Sequence, residues 1–170
     1  MPNNTKKKET RKKKSAIILG IDPGLADTGF GVIKKEGSRL TMLDYGNIKT
    51  KAKIADEIRL AELNQALDKL IKKYQPEVLG VEKLFFAKNV KTAIAVGQAR
   101  GVIMLCGGKN CLKVLEYTPL QVKQALTGYG KADKKQIQQM VKVVLSLKEI
   151  PKPDDAADAL AIAICCANSI

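Results

Sequence analysis

Acidic residues close or interrupt apolar segments of this chain, where a folded protein offers little water to solvate a charge. Asp22 ends the run Ala-Ile-Ile-Leu-Gly-Ile-Asp, and Glu82 ends Val-Leu-Gly-Val-Glu. Asp155 and Asp158 lie in Asp-Asp-Ala-Ala-Asp-Ala-Leu-Ala-Ile-Ala, a segment too apolar for a surface helix. A carboxylate in such a position needs a counter-charge. The fold must therefore bring a positive charge to each of these segments.

Divalent cations are the counter-charge that the sequence favours. His does not occur in the chain, and no Lys or Arg lies within the segments that carry Asp22, Asp155 and Asp158. Hard oxygen ligands without His or clustered Cys select Mg²⁺ or Mn²⁺ over Zn²⁺. The sequence therefore predicts a magnesium or manganese site made of carboxylates.

The charge balance indicates a polyanionic partner. The apolar content of 45% and the charged content of 28% are ordinary for a globular protein, but the net charge of +13 is not. Such an excess of positive charge is typical of proteins that bind nucleic acid. Together with the metal site, it predicts cleavage of a phosphate backbone.

Part of this excess lies in residues 1–14, which hold seven basic residues and one acidic residue, a net charge of +6. The pattern predicts a disordered Lys-rich tail followed by one domain over residues 15–170, which keeps +7 of the total of +13. A run of this kind is often a solvated, nonspecific arm or an expression-related extension. The domain stays basic without it.

Cysteines and apolar segments favour a cytoplasmic protein. Cys106, Cys111, Cys165 and Cys166 form no CxxC pair, and we interpret them as reduced core thiols. The basic tail lacks the apolar stretch of a secretory signal, and residues 16–21 are too few to span a membrane. We therefore expect no membrane partner.

Hydrophobic periodicity predicts an α/β protein with the order βββαβαβ followed by helices. The predicted strands cover residues 15–22, 28–35, 39–48, 77–82 and 113–117. The predicted helices cover residues 54–74, 90–105 and 154–168. Two more helices are predicted between them: one begins at Thr118-Pro119 and is broken at 128–130, and the other is capped by Asp133 and ends at residue 147. The first three strands form an antiparallel meander. The fourth follows a helical crossover and so lies parallel to the first. Asp22 and Glu82 are then at the same end of neighbouring strands.

The spacing of the last two acids fits one helix face. Asp155 and Asp158 are about one helical turn apart, and the alanines between and after them let the helix pack closely on the sheet. Both acids could then reach Asp22 and Glu82. Two metal ions roughly 4 Å apart hold the attacking water and the leaving 3′ oxygen of a phosphodiester, so no His base is needed. Alternatively, the acids have separate local roles in a turn, a strand end and a helix cap.

Five segments carry a family resemblance that spans about residues 16–167. They are Ile-Leu-Gly-Ile-Asp-Pro-Gly-Leu-Ala-Asp-Thr-Gly-Phe-Gly-Val-Ile (18–33), Val-Glu-Lys-Leu-Phe-Phe-Ala-Lys-Asn (81–89), Gly-Gln-Ala-Arg-Gly-Val (97–102), Tyr-Thr-Pro-Leu-Gln-Val-Lys (117–123) and Asp-Ala-Ala-Asp-Ala-Leu-Ala-Ile-Ala (155–163). In order and spacing they resemble the RuvC family of bacterial Holliday junction resolvases. The first segment alone would be a weak signal.

The resemblance implies an RNase H-like fold, with a five-stranded mixed sheet flanked by helices. It implies that Asp22, Glu82, Asp155 and Asp158 are catalytic and bind two Mg²⁺ ions, for which Mn²⁺ may substitute. It further implies a homodimer, formed through the small-residue helix over 90–105, that resolves four-way junction DNA by symmetric paired nicks in recombination and repair. The family works with a branch-migration helicase complex of the RuvA/RuvB type.

The resemblance also suggests DNA contacts. Lys123 and Lys134 match positions at which the family contacts phosphates or assists the reaction, and Lys88, Lys91 and Arg100 are further candidates, although a lysine on a helix is most often only solvated. Phe85 matches a residue that stacks on an unpaired base near the crossover. We interpret its neighbour Phe86 as a packing residue.

Three other functions fit part of the pattern. Another RNase H-like nuclease, acting on RNA/DNA hybrids or a transposon-like substrate, would share the acidic residues. An actin-like or Hsp70-like ATP-binding protein would share Gly-Ile-Asp-Pro-Gly and the following Thr-Gly, but requires two such domains and a much longer chain. A junction-binding protein without catalysis would not need the complete acidic set.

Overall fold

The structure, a computed structural model, describes residues 15–83 and 90–170, the latter with side chains from residue 93 onward. Its elements are β1 (Ser15–Asp22), β2 (Asp27–Glu36), β3 (Arg39–Lys49), α1 (Asp56–Tyr74), β4 (Val78–Glu82), α2 (Val90–Lys109), β5 (Lys113–Tyr117), α3 (Pro119–Thr127), α4 (Lys134–Val144) and α5 (Asp154–Asn168). The predicted tail of residues 1–14 lies outside the described residues. The predicted element order is confirmed.

The five strands form one mixed sheet in the order β3-β2-β1-β4-β5. The first three strands are antiparallel neighbours, whereas β4 and β5 run parallel to β1. The connection from β1 to the parallel strand β4 runs through β2, β3 and α1. The predicted α/β class with a five-stranded mixed sheet is confirmed.

The two faces of the sheet bury different helices. Alternate residues of β1 divide between the faces, so that Ile18 joins a core cluster with α3, α4 and α5, while Leu19 joins one with α1 and α2. Every residue of α5 from Ala156 to Ala167 is buried except Asp158. The helix is thus part of the core, as its apolar composition predicts.

Glycines leave the sheet without side chains where α5 packs closest to it. A Cβ atom added at Gly20 would lie 2.2 Å from the backbone oxygen of Ala159, and one added at Gly29 would lie 2.0 Å from that of Asp155. A Cβ atom added at Gly31 would meet the side chain of Leu160, and one added at Gly80 would meet the side chains of Cys166 and Ile162. The backbone of the helix therefore rests directly on the backbone of the sheet.

Three helix ends differ from the sequence prediction. Helix α1 begins at Asp56, two residues after the predicted start. Helix α2 continues to Lys109, since Gly107 fits against Leu79 and Val114, where a Cβ atom would lie 2.7 Å from Leu79 Cδ2. Helix α4 ends at Val144 and not at residue 147, because Ser146 adopts a left-handed conformation with φ of 52°. The predicted caps Thr118 and Asp133 are confirmed, and each forms a capping box with a glutamine.

The prediction of core thiols is confirmed for Cys106, Cys165 and Cys166, which are buried and free. It is wrong for Cys111, which is exposed because it lies in the turn between α2 and β5 with a left-handed φ of 54°. Among the described residues, none of the helices has both the length and the apolar character needed to cross a bilayer.

Candidate active site

The carboxyl ends of β1 and β4 place two of the predicted acids side by side. The strands are parallel with Ile21 opposite Val81, so Asp22 and Glu82 follow at the same edge of the sheet. Ile21 and Val81 are fully buried on the α1 and α2 face. Side chains alternate along a strand, and the two acids therefore point to the opposite face, where α5 lies.

The first turn and a half of α5 brings the other two acids to this edge. Carboxylate oxygens of Asp22, Asp155 and Asp158 all lie within 4.8 Å of one another, and each of the three residues is half-buried. Glu82 stands outside this group of three, yet it lines the same cavity as Asp158. We call these four residues the acidic cluster.

The electrostatics of the cluster call for a cation. Burial, followed by the charges of Glu82, Asp158 and Asp155 in that order, raises the pKa of Asp22 to about 8. Burial, followed by the charge of Asp158, also raises the pKa of Glu82. Carboxylate oxygens held this close are the hard donors that divalent cations prefer, and a bound cation would favour their ionised forms. The residues present therefore fit a divalent metal site.

Lys134 supplies a positive charge from the first turn of α4. Its Nζ lies 3.1 Å from Asp158 Oδ2 and 3.2 Å from Asp154 Oδ2. Burial opposes the charged ammonium, but the hydrogen bonds and charges of Asp158 and Asp154 raise the pKa of Lys134 overall. The burial of Asp158 raises the pKa of its carboxyl despite this partner. One ammonium therefore does not neutralise the cluster.

A cavity of about 210 Å³ opens beside the cluster. Its charged walls hold Glu82, Asp158, Lys123 and Lys134, and its apolar lining is Pro119, Val122, Ile137, Ala161 and Ile162. Two lysines and two acids thus line the same small cleft. Such a cleft can receive a phosphodiester, since the lysines attract its oxygens and the acids can hold cations against it.

The structure does not place the other candidate DNA-contact residues in this cleft, as far as it describes their side chains. Arg100 Nη2 lies 2.7 Å from Glu116 Oε2, an ion pair between α2 and β5, and Arg100 Nε is buried with no hydrogen-bond partner among the described residues. Phe85, with its neighbour Phe86, and Lys88 lie outside the described residues. Lys91 belongs to the first turn of α2, and its side chain also lies outside the described part. Among the members of this set whose side chains the structure describes, it brings Lys123 and Lys134 to the acidic cluster.

The sequence analysis missed two polar residues beside the cluster. Asn47 Nδ2 donates a hydrogen bond of 3.2 Å to Asp155 Oδ2 and another to Asp27 Oδ1. Both Asn47 and Asp27 lie in the β2-β3 hairpin, so no acidic or apolar pattern marks them. Their link to Asp155 depends on hairpin register, in which Asn47 pairs with Gly29, and Gly29 with Asp22.

Comparisons with known proteins agree with this geometry. The family model described as crossover junction endodeoxyribonuclease RuvC matches residues 18–166. The chain is 58% identical over 153 residues to the crossover junction endodeoxyribonuclease RuvC of Halothermothrix orenii, covering 90% of this chain and 93% of the relative. The Thermus thermophilus RuvC structure matches with a TM-score of 0.84 and 34% identity, covering 90% of this chain and 95% of that one. Thermus thermophilus RuvC in complex with Holliday junction substrate matches with the same score and identity, over 88% and 92% of the two chains.

Proposed function

This chain belongs to the RuvC family of crossover junction endodeoxyribonucleases, and we propose that it resolves four-way DNA junctions by hydrolysing phosphodiester bonds. The products would be symmetric nicks in two strands of like polarity, with 5′-phosphate and 3′-hydroxyl ends, as recombination and repair require. One observation carries the proposal. Three carboxylates lie within 4.8 Å of one another beside a cleft that is lined by two lysines.

We propose Mg²⁺ as the metal, with two ions per site and with Mn²⁺ as a substitute. Asp22, Glu82, Asp155 and Asp158 would hold the ions. When bound, the ions would activate the attacking water and stabilise the leaving 3′ oxygen. The residues themselves fix the position of the cut, because they come from the ends of two packed strands and from a buried helix.

Lys123 and Lys134 orient the phosphate in this proposal. Both line the cleft, and Lys134 already lies 3.1 Å from Asp158 Oδ2. A phosphate oxygen entering the cleft would accept a hydrogen bond from either ammonium. We also propose DNA contacts for Phe85, Lys88, Lys91 and Arg100, with Phe85 stacking on an unpaired base. The Arg100 contact would have to share the guanidinium with Glu116.

We propose a homodimer formed through α2, because symmetric cuts need two sites related by a two-fold axis. Ile94 and Leu105 on this helix are 58% and 60% exposed, which is unusual for large apolar side chains. A Cβ atom added at Gly101 or Gly108 would meet no atom of the described residues within 4 Å. A second copy of α2 packed there would bury these apolar side chains and use the small residues for close approach.

We also propose roles for the basic tail, the cellular location and a partner complex. Residues 1–14, with their net charge of +6, would add nonspecific and salt-sensitive affinity for DNA. The domain over residues 15–170 would act in the cytoplasm on junctions supplied by a branch-migration helicase complex of the RuvA/RuvB type.

The test is cleavage of a synthetic mobile four-way junction in Mg²⁺, with linear duplex and RNA/DNA hybrid as other substrates. The native chain is compared with Asp22→Asn and with Asp133→Asn, a control in which asparagine still caps α4. Paired symmetric nicks in the junction alone, lost only in Asp22→Asn, would support the proposal. Cleavage of the hybrid would indicate a ribonuclease, and binding without cleavage by the native chain would indicate a structural junction protein.

A further inference from the structure

Asn47 lies at the edge of the acidic cluster and contacts two carboxylates at once. Its Nδ2 donates to Asp155 Oδ2 at 3.2 Å and to Asp27 Oδ1. A carboxamide nitrogen carries two hydrogens, so the two bonds use its full donor capacity. Both acceptors are acidic oxygens, which also fixes the orientation of the amide, because a flipped amide would turn its own oxygen toward two carboxylates.

The register of the sheet explains how Asn47 reaches Asp155. Asp22, Gly29 and Asn47 are direct partners across β1, β2 and β3, so their positions share one face of the sheet. Gly29 has no side chain, and the backbone of Asp155 occupies the space above it, 2.0 Å from where a Cβ atom would stand. Asp22 and Asn47 therefore flank the start of α5 from opposite sides.

Asp27 in turn orients Asn47 by accepting a hydrogen bond from its Nδ2. It lies two residues before Gly29 on β2, hence on the same face, and its strand partner is Lys49. Lys49 Nζ lies 3.9 Å from Asp27 Oδ2, the oxygen that does not bond Asn47. Asn47 Oδ1 is buried with no hydrogen-bond partner among the described residues. An unpaired buried oxygen costs free energy, and the two charged acceptors of Nδ2 offset this cost.

We propose that Asn47 is a positioning residue, which fixes the plane of the Asp155 carboxylate so that its oxygens meet those of Asp22 and Asp158 around a divalent cation. A neutral donor is suited to this role, because a lysine or arginine here would compete with the cation for Asp155. Asp27 acts through Asn47 and does not touch the cluster. The inference rests on the proposed metal-dependent function.

The experiment measures Mn²⁺ binding to the full chain by isothermal titration calorimetry, without DNA. Asn47→Leu keeps the size of the side chain and removes both donors. The matched control is Asn64→Leu on α1, whose Nδ2 donates in the same way to Asp68 Oδ2 at 3.3 Å. We expect Asn47→Leu to bind Mn²⁺ about 10-fold more weakly or worse, and Asn64→Leu to bind as the native chain does.

A double-mutant cycle separates positioning from general stability. Asp27→Asn alone should weaken Mn²⁺ binding in the same direction, but should add nothing in the Asn47→Leu background, because Asp27 acts only through Asn47. In junction cleavage, Asn47→Leu should raise the metal concentration for half-maximal rate and leave the junction KM unchanged. If Asn47→Leu does not fold, Asp27→Asn alone decides the question.

The possible outcomes distinguish failure of the Asn47 positioning role from failure of the proposed junction cleavage. Native Mn²⁺ affinity in both Asn47→Leu and Asp27→Asn would overturn the positioning role, and so would additive losses in the double variant. Failure of the native chain to cut junctions, while Mn²⁺ affinity still depends on Asn47, would overturn the proposed substrate and leave the positioning role standing. Failure of the native chain to bind Mn²⁺ would overturn both.

Discussion

The Nζ atom of Lys134 lies 3.1 Å from Oδ2 of Asp158, so the acidic cluster carries one ammonium of its own. The pair is formed between α4 and α5, and its two side chains are 52% and 32% exposed. It is thus open to the cleft on one side. A cation or a phosphate entering the cleft meets this ion pair, which makes Lys134 the basic residue whose removal is most informative.

Replacement of Lys134 by Gln should slow junction cleavage by roughly 100-fold, the typical effect of losing one donor that stabilises charge in a transition state. Lys135→Gln, an exposed neighbour on the same helix, is the matched control and should change the rate little. Single-turnover cleavage at saturating protein measures the chemical step without the contribution of binding. Equal rates for the two variants would remove Lys134 from the reaction.

The substitution Asp22→Asn should abolish cleavage and stabilise the metal-free protein. Burial and then the neighbouring acids raise the pKa of Asp22 to about 8, which means that its charged form is unfavourable in the folded state. A neutral amide removes this cost, and we expect a gain of roughly 1–2 kcal/mol in the free energy of unfolding at pH 7.5. Urea unfolding in EDTA measures it. A loss of stability would mean that the carboxyl makes favourable contacts that the amide cannot replace.

The stability of the metal-free protein should fall as pH rises from about 4 to about 8. In this window Asp22 is ionised in the unfolded chain, where its pKa is near 3.8, but protonated in the folded protein, where it is about 8. The unfolded state then binds fewer protons, so the free energy of unfolding decreases with pH and levels off above the folded pKa. The raised pKa values of Glu82 and Asp158 act with the same sign.

Urea unfolding in EDTA at pH 5, 6, 7 and 8 provides the measurement, and Asp22→Asn should show a shallower decline than the native chain. Saturating Mg²⁺ should reduce the decline in the native chain, because the ion binds the ionised carboxylates of the folded state. A native curve that is flat in EDTA would contradict the assignment of Asp22 as a largely protonated group.

The substitution Gly29→Ala should weaken metal binding and destabilise the fold, since the new Cβ atom would lie 2.0 Å from the backbone oxygen of Asp155. The start of α5 would have to move, and overpacking of this kind costs about 1–3 kcal/mol or more. Ser38→Ala, in the exposed turn of the same hairpin, is the control, because this substitution removes one hydroxyl from a residue that lies in solvent. Thermal unfolding and Mn²⁺ titration of both variants test this, and native behaviour of Gly29→Ala would refute the close packing.

Local patterns in the sequence predict most of the fold. The boundaries of β1, β5 and α5 are confirmed to the residue, because each combines a strong apolar run with clear caps or turns. The α2 and α4 ends are wrong by a few residues, since they depend on how Gly107 packs and on the conformation of Ser146. Neither property is encoded in a local pattern.

Local patterns in the sequence likewise predict only part of the candidate site. The four acids stand out in the sequence because each interrupts an apolar segment, and the structure gathers three of them within 4.8 Å. Asn47 carries no such mark, as its role depends on strand register and on the space above Gly29. The pairing of Arg100 with Glu116 is likewise a tertiary contact between α2 and β5. Relationships between distant segments are what the sequence analysis could not supply.

The packing of α5 against β1 and β2 joins the last helix of the chain to its first two strands. During synthesis Asp22 leaves the ribosome early, but Asp155 and Asp158 leave it only after the other described helices and strands. Under the proposed function, a ribosome-bound chain that lacks α5 would hold no complete set of ligands and would not cut DNA. The order of the elements would then delay nuclease activity until the domain has been translated through α5 and this helix has docked.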